Sequence, residues 1–542
     1  MRVVTRYAHS IPKLVCPGGE SGLIISTLHL DRVVSVDKRS MRMTLESGVT
    51  LKNLIDAAAN EGLALPHSPY WLGLTVGGIL GTGAHGSSLF GKGSAVHEFV
   101  VGMRLVVPAS QDEGYAKVVC LTEAEEDLNA LKVSLGVLGV ISQVTLQLQP
   151  MFKRSITNVQ QDDFDLENRI AQFGLEHEFA DVTWHPAQRK VVYRVDDRVP
   201  VNTSGNGVND FIGFRPTFSP LLATARIAEE IEESHNGTNS KCALSFVRVS
   251  SILQLGTGLK NNDLQFHGYP VIGYQNNMQA AGSCLSSPED GLQTACGWDP
   301  RIKGLFFFQN GISISVSKIG QFLSDVRKLR DMIPNSLCGV ELYYGFLMRY
   351  VKASSAYLGK QEDSVDIEMT YYRANDPNTP RLYEDVLEEI EQMALVKYGG
   401  MPHWGKNRNI AFDGVMKKYS KYKAFLAAKT KYDSNGHFSN EWTDGVLGIE
   451  KEGVIIKKDG CALEGLCVCS EDAHCAPDKG YFCKPGRVYT EARVCRRGEH
   501  NITGDLVSEK WISPLLTKIS HSSFVLSASV WFYWYVFKIR RH

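Results

Sequence analysis

Glycine is concentrated between Gly73 and Gly93, and this stretch limits the folds open to the chain more than any other feature of the sequence. Its centre reads Thr75-Val-Gly-Gly-Ile-Leu-Gly-Thr-Gly-Ala-His-Gly-Ser-Ser88, with five glycines in fourteen positions. Backbone N–H groups in such a loop can approach an anion closely, because few side chains surround them. A glycine-rich turn without a ligand is the alternative, but the hydroxyl residues beside the glycines favour a phosphate-bearing ligand.

The same stretch contains Gly81-x-Gly83-x-x-Gly86, which formally matches a dinucleotide-binding fingerprint. A site of that kind needs an amphipathic helix after the glycines and an acidic residue about 20 positions later. The sequence offers neither, so we reject this interpretation.

Strands and helices alternate around the glycine-rich stretch, which predicts a domain over residues 1–150 that Pro150 closes. The patterns predict strands at Arg42–Glu46, Glu98–Val107 and Val140–Leu148, a helix that Thr50 caps and Gly62 ends, and a second helix around Glu123–Leu135.

Residues 151–457 are predicted to form a second domain of longer strands with two evident helices. One of these helices lies near Leu382–Lys397, with Val386, Ile390 and Ala394 on one face and acids on the other. A cysteine-rich module over 458–497 and a tail over 498–542 follow.

Six of the twelve cysteines fall between Cys461 and Cys495. An even number at this density is typical of a disulfide-bonded module from an oxidising compartment. Zinc is the alternative, but C-x-x-C pairs are absent and Cys467-x-Cys469 does not suit one tetrahedral site. We therefore predict disulfides and no metal site. Three Asn-x-Ser/Thr sequons, at Asn202, Asn236 and Asn501, are compatible with a secreted glycoprotein.

Both ends of the chain bear on its location. The first residues lack the apolar segment of an export signal, so we expect that the natural N-terminus is missing from this sequence. In the tail, Ile519–Phe537 has no Asp, Glu, Lys or Arg and precedes basic residues. A membrane anchor is one interpretation of this segment, and a buried or disordered tail is the other.

The net charge of −1 argues against nucleic acid as a partner.

Thr75–Ser88 and Ser134-Leu-Gly-Val-Leu-Gly-Val-Ile141 together resemble the FAD-binding domain of the vanillyl-alcohol oxidase and p-cresol methylhydroxylase flavoproteins. His403-Trp-Gly-Lys406 matches the His-Trp-x-Lys signature of the sugar-1,4-lactone oxidoreductases in that superfamily, and the span from Met1 to about Arg497 resembles the plant-type L-gulonolactone oxidases. The resemblance implies an α+β fold. It comprises an FAD-binding domain of two subdomains, an α/β substrate domain with a large antiparallel sheet, and the small disulfide-rich C-terminal module.

The resemblance also implies the residues that contact FAD. In that family the glycine-rich loop holds the pyrophosphate and the second segment runs along the cofactor. His9 matches a histidine that often bonds covalently to the flavin, although Tyr7 and Ala8 replace the family's glycines before it; an ordinary surface histidine is the alternative. The implied contacts are His9, Ser10, Thr75, Gly77, Gly78, Gly81, Thr82, Gly83, His85, Gly86, Ser87, Ser134, Gly136, Gly139 and Ile141.

Three residues are predicted to be catalytic. A fixed cation stabilises the negative charge that a flavin gains on reduction, and Lys406 is the candidate, with His403 as a proton acceptor. A solvated basic turn is the alternative for this segment. Arg349 matches the arginine of an acid-x-Arg pair that lines the substrate site in the lactone oxidoreductases, but Leu347 stands where the acid is expected. Glu341 and Tyr344 are candidates to compensate, and a surface ion pair is the alternative for Arg349.

We therefore expect an FAD-dependent oxidase of an aldono-1,4-lactone. It would convert L-gulonolactone to L-ascorbate by hydride transfer from C2 to flavin N5, with reoxidation by O₂ to give H₂O₂ or by another acceptor. Two alternatives stay open at this point. One is a secreted flavoprotein that oxidises another sugar or a polyol, and the other is an extracellular glycan-binding protein without flavin.

Overall fold

The protein's structure is a computed structural model that describes residues 1–5, 11–216, 218–279, 282, 284, 294–299, 307–376, 378–450 and 453–498. Residues Met1–Arg497 form one compact unit. His9, Ser10, the sequon at Asn501 and the tail segment Ile519–Phe537 lie outside the described residues. Within those ranges, no helix combines the length and the apolar composition that crossing a bilayer requires.

The first 150 residues form short strands and helices. The helix that follows Thr50 forms as predicted, because the Thr50 hydroxyl accepts a hydrogen bond from the N–H of Asn53 at 3.2 Å. The elements are β1 Arg2–Val4, α1 Pro12–Val15, β2 Ile24–Ser26, β3 Val33–Asp37, β4 Arg42–Glu46, α2 Leu51–Asn60, β5 Leu63–Ala64, α3 Val76–Thr82, β6 Val100–Pro108, β7 Ala116–Thr122, α4 Leu128–Leu131, β8 Val140–Gln147 and β9 Gln149–Pro150.

A five-stranded antiparallel sheet of order β3-β4-β8-β6-β7 is the centre of this region. The glycine-rich stretch, predicted as a loop, contains helix α3, because Val76, Ile79 and Leu80 are buried in the core against the low helix propensity of the glycines. Helix α4 covers only part of the helix predicted around Glu123–Leu135.

The next 300 residues contain many more helices than predicted. The helices α6 and α7 escape pattern analysis because apolar residues such as Leu221, Ile231 and Phe246 lie on their exposed faces. The elements are β10 Lys153–Asp162, α5 Leu166–Glu176, β11 Asp181–His185, β12 Lys190–Val199, β13 Val208–Asn209, α6 Phe218–Ser234, α7 Asn239–Gln254, β14 Leu259–Lys260, β15 Val271–Tyr274, α8 Gln275–Met278, β16 Phe307–Ser315, α9 Ile319–Met332, α10 Cys338–Leu342, β17 Phe346–Val351, β18 Ser364–Tyr372, α11 Glu384–Gln392, β19 Met401–Pro402, α12 Tyr422–Tyr432 and α13 Glu441–Leu447.

Eight of these strands form the large antiparallel sheet that was predicted, in the order β15-β10-β12-β11-β17-β18-β16-β19. Its register places four charged residues directly opposite one another on neighbouring strands. Arg194 on β12 faces Asp181 on β11, which faces Arg349 on β17, which faces Asp366 on β18. Directly opposite residues lie on the same face of a sheet. One face therefore carries a transverse row of alternating charge.

The cysteine-rich module follows as a small hairpin of β20 Tyr481–Pro485 and β21 Arg493–Arg497. All six of its cysteines are paired, as predicted, in the bonds Cys461–Cys467, Cys469–Cys483 and Cys475–Cys495. Two further disulfides, Cys242–Cys338 and Cys284–Cys296, lie in the preceding region. Because the disulfides hold this short segment closed, it needs little apolar core of its own.

Candidate active site

A cavity of about 460 Å³ brings together residues that lie more than 300 positions apart in the sequence. Helix α3 forms one wall, the segment 134–141 a second, the polar face of the eight-stranded sheet a third, and the turn after β19 a fourth. Thirteen of the predicted site residues line it: Thr75, Gly77, Gly78, Gly81, Thr82, His85, Ser134, Gly136, Gly139, Ile141, Arg349, His403 and Lys406.

Helix α3 presents glycines, rather than side chains, to the cavity. Gly77 packs so closely on Ser47 that an added Cβ would lie 3.2 Å from the Ser47 Cβ and backbone oxygen. At Gly81, by contrast, no atom of the described residues outside its own helix lies within 4 Å of the position that a Cβ would occupy. The space beside Gly81 is therefore open to a ligand.

The wall that contains Ser134 is shaped by a left-handed turn. Leu135 and Gly136 both have positive φ angles, of 54° and 68°. The buried Arg2 side chain stabilises this turn, because its Nη2 donates to the Leu135 carbonyl at 2.6 Å and its Nε to the Leu14 carbonyl at 2.8 Å. Sequence analysis did not identify Arg2, which lies in β1 without any recognisable motif.

The turn that contains His403 and Lys406 is fixed to strand β16. The N–H of His403 donates to the Gly311 carbonyl at 2.8 Å, and the Asn407 side chain both donates to and accepts from the Gly311 backbone. A Cβ on Gly405 would lie 3.4 Å from the Thr82 Cβ. The turn therefore packs directly against helix α3, across the cavity wall.

Trp404 faces away from the cavity into the core. Its ring stacks on Phe412 and Tyr419, and its Nε1 donates to the Leu358 carbonyl at 2.9 Å. Trp404 therefore anchors the turn from behind and does not line the cavity.

Two cations share one carboxylate on the cavity wall. The Lys406 ammonium lies 2.7 Å from Glu368 Oε2, and the Arg349 guanidinium contacts Glu368 Oε1. Arg349 also donates from Nη1 to the His85 carbonyl at 2.7 Å. Burial and the positive charge of Arg349 lower the pKa of Lys406 to about 7, while nearby Asp366 acts in the opposite direction.

The histidine of the turn is neutral, because burial and the Lys406 charge hold the pKa of His403 well below its usual value. Its Nδ1 accepts a hydrogen bond from the Gly405 N–H at 3.0 Å. In a neutral imidazole the other nitrogen then carries the proton. His403 Nε2 is therefore a hydrogen-bond donor in this arrangement, and not the proton acceptor that the sequence suggested.

Some predicted residues lie outside the cavity lining. Gly83 and Gly86 lie behind it, and the Ser87 hydroxyl donates to the Ala180 carbonyl and accepts from the Tyr350 N–H. Glu341 lies on α10, not on a neighbouring strand, and accepts hydrogen bonds from Gln188 and Ser245. Glu341 lines the cavity but contacts neither Arg349 nor Lys406 among the residues that the structure describes.

The carboxylate that sequence analysis missed is Glu368. It lies on β18 directly opposite Leu347, the residue that stands in place of the expected acid. The available signal was the alternation of polar Ser364, Asp366, Glu368 and Thr370 with apolar residues along the strand Ser364–Tyr372, which indicates one polar face. Strand pairing, which the sequence does not give, decides that this face meets Arg349.

Three family models match this chain: an FAD binding domain over residues 8–111, D-arabinono-1,4-lactone oxidase over 304–446, and the C-terminal domain of L-gulonolactone oxidase 2-like proteins over 458–497. L-gulonolactone oxidase 5 of Arabidopsis thaliana is 57% identical over 497 residues, which cover 91% of this chain and 84% of that protein. L-gulonolactone oxidase 2 of the same plant is 58% identical over 499 residues, which cover 92% and 84%.

The chain belongs to the L-gulonolactone oxidase family.

Membership of the L-gulonolactone oxidase family confirms the prediction of an FAD-dependent oxidoreductase that acts on a lactone. The predicted fold class is confirmed as well. Cholesterol oxidase from B. sterolicum superimposes with a TM-score of 0.60 at 15% identity, over 82% of this chain and 90% of that one. The open space beside Gly81 and the side-chain-free face of α3 fit FAD, which this family binds.

Enlarging residue 81 tests the assignment of this space to FAD. We expect Gly81→Ala to stabilise the protein without FAD by up to about 1 kcal/mol, because alanine favours a helix over glycine. Gly81→Leu should fold equally well but bind FAD at least tenfold more weakly, because its side chain fills the open space. Thermal unfolding without FAD and FAD titration measure the two effects. Unchanged FAD affinity of Gly81→Leu would contradict the assignment.

Proposed function

We propose that this cavity oxidises L-gulonolactone, or an aldono-1,4-lactone of the same shape, at C2 to give the ascorbate skeleton, with O₂ as the acceptor. The observation that carries the proposal is the meeting of Lys406, Arg349 and Glu368 in one cavity with the glycine face of helix α3. When bound, FAD supplies the two-electron acceptor, whose reduced ring carries negative charge.

Lys406 is proposed to stabilise that negative charge. Its ammonium is largely shielded from water, with 14% of the side chain exposed, so its field is weakly screened. Glu368 and Asp366 on β18, Arg349 on β17 and Lys360 are the other charged groups around it. Because the ion pair with Glu368 holds the ammonium in place, little reorganisation is needed when the cofactor ring becomes negative.

Arg349 and Glu368 are proposed to bind the hydroxyl groups of the lactone. A guanidinium donates and a carboxylate accepts, so together they satisfy both the oxygens and the hydrogens of a polyol. The same cavity wall also contains the polar residues Asn158, Thr183, Gln309 and Thr370. With His403 Nε2 as a donor, Glu368 is the carboxylate placed to accept the proton that the C2 hydroxyl releases.

We propose the division into an FAD-binding domain 1–150, a substrate domain 151–457 and the module 458–497. We propose covalent attachment of FAD through His9. Passage through the secretory pathway is supported by the five disulfides, which form in oxidising compartments.

Anaerobic mixing of the purified flavoprotein with a panel of lactones and polyols tests the substrate. We expect L-gulonolactone to bleach the flavin absorbance and polyols of the same length to leave it unchanged, because only the lactone yields the tautomerising 2-keto product. Bleaching by a polyol but by no lactone would overturn the proposal. After acid precipitation of the same sample, colour in the supernatant would remove the covalent link to His9.

The pH dependence of flavin reduction tests Lys406. Lysine loses its positive charge as pH rises through its pKa, so the rate constant should fall above a pH of about 7 in the free enzyme. Lys406→Met should slow reduction about 10²-fold at pH 6 and remove this alkaline limb. Lys406→Arg stays charged and should lack the limb too, at a higher rate than the methionine variant. An alkaline limb retained in Lys406→Met would exclude the lysine as its source.

Moving one carboxylate between strands tests Glu368. Directly opposite residues have Cβ atoms about 5 Å apart, so a glutamate at 347 can reach the same two cations. We expect Glu368→Leu to slow flavin reduction about 10²-fold, and the double variant Leu347→Glu with Glu368→Leu to recover at least tenfold of that loss. Glu368→Gln should shift the alkaline limb to lower pH, because the ammonium loses its anionic partner. No recovery in the double variant together with an unmoved limb would refute the role.

A further inference from the structure

The cysteine-rich module, residues 458–497, packs against helix α11 of the preceding region. The carboxylates of α11 accept hydrogen bonds from the backbone of the β20–β21 hairpin: Glu389 from the N–H groups of Arg487, Val488 and Tyr489, and Glu388 from that of Cys495. Asp385 pairs with Arg487 and Arg496. The acidic face of this helix, which a helical pattern assigns to solvent, is buried under the module.

Glu391, also on α11, pairs with a residue of the active-site turn. Arg408 lies two positions after Lys406, and its guanidinium contacts the Glu391 carboxylate with both side chains at least 97% buried. The guanidinium carbon also lies 5.0 Å from the centre of the Phe308 ring on β16. Arg408 is thus held on two sides, so it cannot move aside freely.

The cysteine-rich module contacts Arg408 from a third side. Gly465 has a φ of +64°, and a Cβ added to it would lie 2.3 Å from Arg408 Cδ and 2.6 Å from Arg408 Cβ. Its carbonyl accepts a hydrogen bond from the N–H of Ile410 at 3.3 Å. Gly465 lies inside the loop that the disulfide closes between Cys461 and Cys467, which are six positions apart. A change in the shape of that loop would therefore displace the backbone that follows Lys406.

We propose that the cysteine-rich module positions Lys406, with Gly465 and Arg408 as the positioning residues that connect them. The residues directly after Lys406 are held on two sides: Asn407 bonds to the Gly311 backbone on the sheet side, and Arg408 packs against the closed loop of the module on the other. With both in place, the ammonium of Lys406 faces Glu368. The module thus contributes to catalysis without lining the cavity among the residues that the structure describes.

This inference rests on the proposed role of Lys406, and a matched pair of glycine variants tests it. Gly465→Ala introduces a Cβ that Arg408 cannot accommodate. The new Cβ clashes with Arg408 Cβ, which can move only if the Arg408 backbone moves. Gly460→Ala is the control: it lies in the same module, its φ is +70°, and the atoms nearest to its added Cβ are 4.0 Å away. Both variants carry the same backbone strain, and only Gly465→Ala displaces the turn.

The readouts are the rate constant of anaerobic flavin reduction at saturating lactone and the dissociation constant of sulfite for the oxidised flavin, which a nearby cation tightens. We expect Gly465→Ala to lower the rate at least tenfold and to weaken sulfite binding at least tenfold, because small misplacements of a catalytic group are costly. Gly460→Ala should change neither by more than about twofold. Equal values for the two variants at equal thermal stability would overturn the proposal.

Sulfite binding separates this inference from the proposed substrate, because it reports the cation beside the flavin whether or not any lactone reacts. Should Gly465→Ala fail to fold, Arg408→Lys tests the same connection, since lysine keeps the charge but loses the planar fork that pairs with Glu391. We expect the same tenfold losses in Arg408→Lys. Where both variants fold, the loss from Gly465→Ala should disappear in the Arg408→Lys background. Unchanged values in Arg408→Lys, or losses that simply add, would refute the connection.

Discussion

The active site depends on one carboxylate that two cations share. Glu368 contacts both Arg349 and Lys406 at the cavity wall, and all three side chains are largely buried. Without it, two buried positive charges would face each other across the cavity wall, at a large cost in free energy. With it, the two cations are held in one place and their charge is directed toward the cavity.

The arrangement requires contributions from distant parts of the chain. The eight-stranded sheet supplies Arg349 and Glu368 from two adjacent strands, and the turn after β19 brings Lys406 from 38 residues beyond Glu368. Helix α3 supplies a surface without side chains, and Arg2 in β1 stabilises the turn on the facing wall. The walls come from different elements of residues 1–457, so the cavity forms only when these elements pack together.

Much of this was predictable from local sequence. Features whose signal lies in a few consecutive residues were predicted correctly. The cavity is lined by the glycines at 77, 78 and 81 and by residues of the turn His403–Lys406, and the cysteines of the module are paired in disulfides. What failed depended on strand pairing or burial. The partner of Arg349 was sought on the same chain segment, at Glu341, whereas it lies on the next strand. The helices α6 and α7 were missed because their exposed faces are apolar, and the acidic face of α11 concealed a docking surface for the module.

The transverse row of charges on the large sheet restricts which substitutions the protein can tolerate. Arg194, Asp181, Arg349 and Asp366 alternate in sign, so each inner member has an opposite charge on both sides. Reversing either inner member, Asp181 or Arg349, creates two like-charged neighbours at once, which costs more than a lone surface change. A charge reversal in this row is therefore tolerated only together with compensating changes at the neighbouring positions of the row. Among relatives, these four positions should therefore be conserved or should covary, whereas the solvent-facing positions of the same strands should vary freely.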